Sequence, residues 1–227
     1  MVPVPHPGDS IKHRCREVRV GNVESPVLVS HPGRQHVGKL LATLNNAGLL
    51  QRFFTVAANY PSLIDPNKKL ALPEVSRNQV DQFPWLAFCQ YILGAELYRD
   101  VYRRFDSAVS RRLDRSEHRV LIGYENANLC SFEREKALGG TTVLDLASVH
   151  HSKNIELWEQ FPGFRNAFPD RQYFDQMNAY KAEALEMTDY CVCLSGYAKE
   201  TLSNSSLSKE PVFVLPLPVD RSVFFPL

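Results

Sequence analysis

The apolar residues of this chain come in short runs of four to seven, separated by longer stretches in which they recur at three- and four-residue spacing. The runs predict buried strands and the spaced stretches predict amphipathic helices. Pro26 to Ser30 is expected to be the first strand. The helix after it spans Val37 to Ala47, with Val37, Leu40, Leu41 and Leu44 on one face and Gly48 as its stop. Arg52 to Ala57 is the next expected strand. Asn59 to Asn78, broken by Pro61, Pro66 and Pro73, is expected to be a long irregular connection. From Pro84 to about Asp114 the period is helical, in two pieces that meet near Gly94.

The second half repeats the alternation. Strands are expected at Arg119 to Gly123, Thr141 to Ala147, Tyr190 to Leu194 and from Val212 to the proline-rich exit at Pro216. Helices are expected at Leu129 to Leu138, ending in Gly139-Gly140, at Ser152 to Phe161, and at Gln172 to Met187, with a loop around Pro162 to Pro169 and a short helical segment after Ser195. Strands separated by helices imply right-handed βαβ units. The expected fold class is therefore α/β, a Rossmann-like parallel sheet with helices on both faces.

In such a sheet ligands sit beyond the carboxyl ends of the strands, so the loops there are the candidate site. The first is Ser30-His31-Pro32-Gly33-Arg34-Gln35-His36. Gly33 would let backbone approach a ligand, the first turn of the following helix favours an anion, and Arg34 and His36 add donors. G-x-G-x-x-G is absent, which argues against a dinucleotide oxidoreductase. In the second loop, Tyr124-Glu125-Asn126, Glu125 is either the partner of a substrate hydroxyl or a cap for the next helix.

The third loop holds His150 and His151. In extended chain adjacent side chains diverge, so the two are not expected to share a face or form an i, i+4 metal pair, and no metal site is expected. Either one imidazole faces the crevice and meets a substrate hydroxyl, or the segment is simply a polar helix entry with Ser152 as N-cap. Ser195, at the fourth loop, is either a substrate contact or an N-cap. G-x-S-x-G is absent, which disfavours hydrolase chemistry.

Composition changes this picture little. The chain has 227 residues, 44% of them apolar, and a formal net charge of +1. That length suits one domain or one and a half, and the near-neutral balance gives no general attraction to nucleic acid. Five cysteines in no framework spacing suit a reducing, cytoplasmic setting, with Cys191 and Cys193 as buried thiols on one face of a strand. Residues 1–25 read as an N-terminal arm, neither signal peptide nor membrane span. Arginines between Tyr98 and Arg119 would suit peripheral contact with an anionic bilayer, but Asp100, Asp106, Asp114 and Glu117 are interleaved and favour a solvated, ion-paired face.

The end of the chain carries a family resemblance. Glu186-Met187-Thr188-Asp189-Tyr190, a short strand, Ser195, Tyr197-Ala198-Lys199, Val212 to Pro216, Pro218-Val219-Asp220 and Phe225-Pro226 together resemble the close of the N-terminal domain in retaining GT-B glycosyltransferases of family four. Pro218 stands where that pattern commonly has glycine, and Thr188 where it commonly has alanine. Upstream, Phe132-Glu133-Arg134-Glu135-Lys136-Ala137-Leu138-Gly139, Leu144-Asp145-Leu146, His150-His151 and the His-Pro-Gly loop with His36 extend the likeness over Pro26 to Leu227.

The resemblance implies an acceptor-side domain at 26–218 and the start of an interdomain linker at 219–227. It implies sugar transfer, with retention, from a nucleotide-sugar donor to a saccharide or lipid-linked acceptor. No cofactor or metal is implied, the nucleotide-sugar being a co-substrate. A C-terminal domain or partner subunit would hold the nucleotide. His150 would touch the donor sugar as the catalytic residue, with Gly33, Arg34, His36, Glu125, His151 and Ser195 as substrate contacts. The alternative is a noncatalytic sugar-binding subunit or one half of a split GT-B enzyme.

Overall fold

A computed structural model describes residues 25–33, 37–56, 75–93, 95–114, 119–203 and 211–216. The expected arm, the linker start, Arg34, His36 and most of the long connection after Ala57 lie outside them.

Seven parallel strands form one sheet: β1 (Val27–Ser30), β2 (Leu50–Thr55), β3 (Val80–Gln82), β4 (Val120–Tyr124), β5 (Thr141–Leu146), β6 (Tyr190–Cys193) and β7 (Val212–Val214). Their spatial order is β3-β2-β1-β4-β5-β6-β7, so the chain winds outward one way from β1 and then the other way from β4. This is the doubly wound, Rossmann-like order, and it opens a crevice at the carboxyl ends of β1 and β4. The helices are α1 (Val37–Asn46), α2 (Pro84–Leu93), α3 (Ala95–Ser110), α4 (Leu129–Ala137), α5 (His151–Gln160), α6 (Pro162–Ala167), α7 (Arg171–Glu186) and α8 (Gly196–Thr201).

The strand pattern divides the core. Val27 and Val29 face Val37 and Leu41 of α1, while Leu28, Leu121, Leu144, Cys191 and Cys193 face α3, α4, α7 and α8 on the other side. Both faces are covered by helices, as the runs of apolar residues require. Phe53, Phe54, Phe105 and Phe132 are fully buried, and each contributes about 1.5–3 kcal/mol. Cys191 and Cys193 are indeed enclosed thiols on one face. Gly48 and Gly139 close α1 and α4 with φ of 69° and 82°, the left-handed geometry that makes glycine the natural stop.

Two elements and two side chains differ from the sequence reading. β3 is a strand of three residues too short and polar to register as a run, and it pairs with β2 only through Phe53 to Thr55. α6 occupies part of the expected loop at Pro162 to Pro169, with Pro162 in the first turn, where its missing N–H costs nothing. Arg119 and Asp106, expected on the solvated face, are buried. Arg119 is 2% exposed, and its Nε donates to both carboxylate oxygens of the fully enclosed Glu135, at 2.7 and 2.9 Å, while Nη1 reaches Asp114 at 2.9 Å.

That ion pair ties the start of β4 to α4, and breaking one side of it leaves an uncompensated charge in the core. Glu135→Gln is expected to cost about 3–5 kcal/mol. The urea unfolding midpoint checks this, and an unchanged midpoint would show that Asp114 alone satisfies Arg119.

Candidate functional site

The carboxyl end of β4 leads through Glu125, Asn126 and Ala127 into α4. Like any helix, α4 begins with backbone N–H groups that have no partner within the helix. Its N-cap residue, Asn128, makes no side-chain capping bond. The caps come instead from two other helices. Asp106 of α3 accepts from the amides of Cys130 and Ser131 at 2.6 and 3.0 Å. Tyr180 of α7 accepts, at its hydroxyl oxygen, from the amides of Asn128 and Leu129, both at 3.0 Å, and donates to Asp106 at 2.7 Å. A carboxylate at a helix N-terminus is also favoured by the helix dipole. Burial and the neighbouring Asp106 carboxylate push the Tyr180 phenol well above its usual range, so it stays a donor.

Glu125 is therefore free of the capping role that the sequence allowed it. The residue is 4% exposed and its side chain faces Lys181 of α7. Ser148 donates to its carboxylate at 3.0 Å, and the Lys181 ammonium stands 3.7 Å away. Burial raises the Glu125 carboxyl above the ordinary carboxylate range, against the opposing pull of Lys181 and the Ser148 hydroxyl. Neighbouring on α7, Tyr180 holds the β4–α4 turn while Lys181 addresses its first residue.

His150 and His151 occupy the β5–α5 turn, and here the structure corrects an expectation. The two rings lie against each other, with centroids 3.9 Å apart, and both line the same recess. Strand alternation does not apply because His150 is already the N-cap of α5 and His151 its first helical residue. The cap is thus His150 and not Ser152. The Ser152 amide donates to His150 Nδ1 at 3.2 Å, and the Ser152 hydroxyl lies 2.7 Å from the same nitrogen. Accepting at Nδ1 places the ring proton of the neutral imidazole on Nε2. Nε2 is buried and has no hydrogen-bond partner among the described residues. Burial and His151 lower the His150 pKa to about 4, so the ring is neutral near pH 7. Burial and Lys181 also lower His151.

Behind these rings is a recess of about 10 Å³, room for one water-sized group. Glu125 and Lys181 border both it and a larger cleft of about 360 Å³. That cleft is walled by Phe164 and Phe168 of the α6 region and by Tyr173, Phe174 and Met177 of α7, with Ser148, Asn154 and Asn178 among its polar groups. Its volume lies within the range of small-molecule sites.

Of the residues singled out in the sequence, Glu125, His150 and His151 come together here. Gly33 stands apart at the end of β1, where its amide donates to Nδ1 of His31 at 3.1 Å. His31, which the sequence reading passed over, is 2% exposed and packs on Tyr124 with centroids 4.3 Å apart. Ser195 is exposed and accepts from the Ala198 amide at 3.1 Å, capping α8. Asp189 of the terminal motif braces the sheet by accepting from the Thr142 amide at 2.9 Å. Lys181, Asp106 and Tyr180 were missed because each belongs to a helix whose local pattern says only that it is amphipathic. Among the described residues no cluster of three His, Cys, Asp or Glu side chains could hold a metal ion, and no helix is long and apolar enough to cross a membrane.

No protein-family model matches the chain, and no curated protein matches it significantly. Solved structures do share its fold. Arabidopsis thaliana UGT89C1 complexed with UDP-L-rhamnose is 17% identical, with a TM-score of 0.50. A UDP-glucosyltransferase from Polygonum tinctorium capable of glucosylating indoxyl, in complex with 3,4-dichloroaniline, is 12% identical, with a TM-score of 0.52. Each match covers 86% of this chain and 53% of the other, so this chain spans about half the length of these structures.

The depressed pKa of His150 has a measurable consequence. An unfolded histidine binds its proton near pH 6.5, and folded His150 only near pH 4. Between those values the unfolded state holds more protons, so stability falls as pH is lowered through this window, by at most about 3 kcal/mol from this group. Urea unfolding from pH 7 to pH 4 is expected to show a loss that His150→Gln reduces. An equal loss in the variant would assign it to other groups.

Proposed function

We propose that this chain is the acceptor-side lobe of a GT-B glycosyltransferase that moves a sugar from a nucleotide-sugar to an acceptor hydroxyl. The observation that carries the reading is the buried Nε2–H of His150, unpartnered among the described residues and lining one recess with the paired Glu125 and Lys181 at the carboxyl end of a doubly wound sheet. The shared fold with sugar-nucleotide-binding structures supports it, and the resemblance of the terminal motif adds family four and retention of anomeric configuration to the proposal.

His150 is the residue assigned to the donor sugar. Its neutral ring presents Nε2–H, a donor for a sugar hydroxyl, and it needs no protonation change to do so near pH 7. Glu125 accepts a hydrogen bond from the acceptor hydroxyl and orients its oxygen toward the anomeric carbon. Lys181 keeps that carboxylate available against the effect of burial, and Ser148 fixes its direction. During transfer the acceptor oxygen bonds to the anomeric carbon, the bond from that carbon to the diphosphate breaks, and the acceptor proton leaves with the phosphate oxygen. A second lobe, from a longer chain or a partner subunit, is assigned the nucleotide, and helix N-termini and basic side chains suffice to hold the diphosphate without a metal. Gly33, Arg34, His36, His151 and Ser195 remain proposed substrate contacts.

Sugar transfer measured by product mass, over a panel of nucleotide-sugars and with the second lobe present, tests this. His150→Ala is expected to lower kcat by at least about 100-fold, the scale for losing one positioned donor. Glu125→Gln is expected to raise KM for the acceptor. Unchanged turnover in His150→Ala would remove that residue from the site, and a product of inverted configuration would remove the family-four part of the proposal. Binding without transfer for every donor would favour the noncatalytic alternative.

A further inference from the structure

The cleft beside Glu125 has two chemically different walls. One is built from the ends of β4 and β5 and carries Glu125 and Ser148. The other comes from α6 and α7 and is aromatic. Phe164, Phe168 and Phe174 form a mutual cluster with centroids 5.1, 5.9 and 6.3 Å apart, and Trp158 of α5 stacks on Phe174 at 6.1 Å. Met177 and Tyr173 complete this wall. The surface of the cleft is predominantly apolar, which a free saccharide does not match. A sugar bound there would give up water at each hydroxyl and recover few hydrogen bonds.

Cluster and cleft have a stable base, because Phe174 is part of the core and Asp170 caps α7 through the Tyr173 amide at 2.9 Å. Phe168, in contrast, is 44% exposed at the mouth, where its carbonyl accepts from the Trp158 indole N–H at 3.2 Å. Its ring packs on Phe164 and Phe174, and an exposed ring held by such packing offers apolar surface without having to be ordered on binding. Adjacent to it the cleft deepens to a buried carboxyl and an ammonium, groups that engage one hydroxyl.

From this juxtaposition we infer that the acceptor is an amphiphile: a single reacting hydroxyl on an apolar body of ring or short-chain size. The body lies on Phe164, Phe168 and Met177, and the hydroxyl meets Glu125. This inference rests on the proposed sugar transfer and narrows its acceptor from a saccharide or lipid-linked molecule to one whose contact with this lobe is apolar. An aromatic ring and an alkyl chain share that chemistry, and the experiment separates them.

Trp85→Phe leaves Trp158 as the only indole of the protein, since the chain has two tryptophans. In that background 2-naphthol, 1-decanol, methyl glucoside and cellobiose are titrated while Trp158 fluorescence is followed. Saturable binding of 2-naphthol or 1-decanol is expected, with the sugars at least tenfold weaker. The tighter of the two apolar probes identifies a ring or a chain. Met177→Glu is expected to weaken that probe at least tenfold, and Met177→Leu to restore it, a rescue that distinguishes contact from unfolding. Sugars binding as tightly as the apolar probes, no binding by either apolar probe, or insensitivity to Met177→Glu would each overturn the inference. Transfer to cellobiose without apolar binding would sink the acceptor class and leave sugar transfer standing. Apolar binding with no transfer from any nucleotide-sugar would do the reverse.

Discussion

The contact of the buried Asp106 and Tyr180 side chains with the first turn of α4 is the constraint on which the rest of the candidate site depends. The leading amides of a helix have no partner within the helix, and those of α4 lie in a buried to half-buried place where side chains must satisfy them. Here a carboxylate from α3 and a phenol from α7 do so together, four amide bonds in all, and the phenol also satisfies the carboxylate. Three helices are thereby fixed to one turn. Because Lys181 follows Tyr180, the same contact sets the ammonium against Glu125. Removing the phenol hydroxyl would leave the amides of Asn128 and Leu129 without their acceptor and take one of two donors from an Asp106 carboxylate oxygen, which keeps the Cys130 amide.

Desolvation governs the chemistry that this arrangement supports. Glu125 and His150 are both withdrawn from water, and burial disfavours the charged form of each. The carboxyl keeps a cationic partner and a hydroxyl donor. The imidazole has no cationic partner, meets the Ser152 hydroxyl and amide at Nδ1, sits against a second ring, and remains neutral, with a buried Nε2 that has no partner among the described residues. A buried N–H left without a partner costs of order 1–3 kcal/mol, a cost that a ligand hydroxyl entering the recess would remove. The fold thus brings His150 and Glu125 to the lining of one small recess, and Glu125 and Lys181 also border the larger cleft.

The fold was legible because its signals are local. Runs such as Val27 to Ser30 and Tyr190 to Cys193, and stops such as Gly48 and Gly139, act within a few residues, and their alternation implies the parallel sheet. β3 escaped because a strand of three mostly polar residues owes its existence to β2 and not to its own sequence. Half of the site was legible for the same reason: Glu125, His150 and His151 follow strands, where the topology places ligands. The other half comes from α7, and nothing in the helical period of residues 171–186 says that Tyr180 turns to α4 or Lys181 to Glu125. Asp106 shows the limit most clearly. Among neighbouring arginines it reads as a surface acid, and only the packing of α3 on α4 makes it a cap. The divergence expected of His150 and His151 failed at the one position where strand geometry gives way to a helix.

Crystals of the protein soaked with 2-naphthol test the central claim most directly, because the claim is one of placement. The ring is expected between Phe168 and Met177, with the hydroxyl oxygen within about 3.2 Å of a Glu125 carboxylate oxygen. A ligand seated elsewhere on the molecule, or one in the cleft with its hydroxyl turned away from Glu125 and His150, would contradict it.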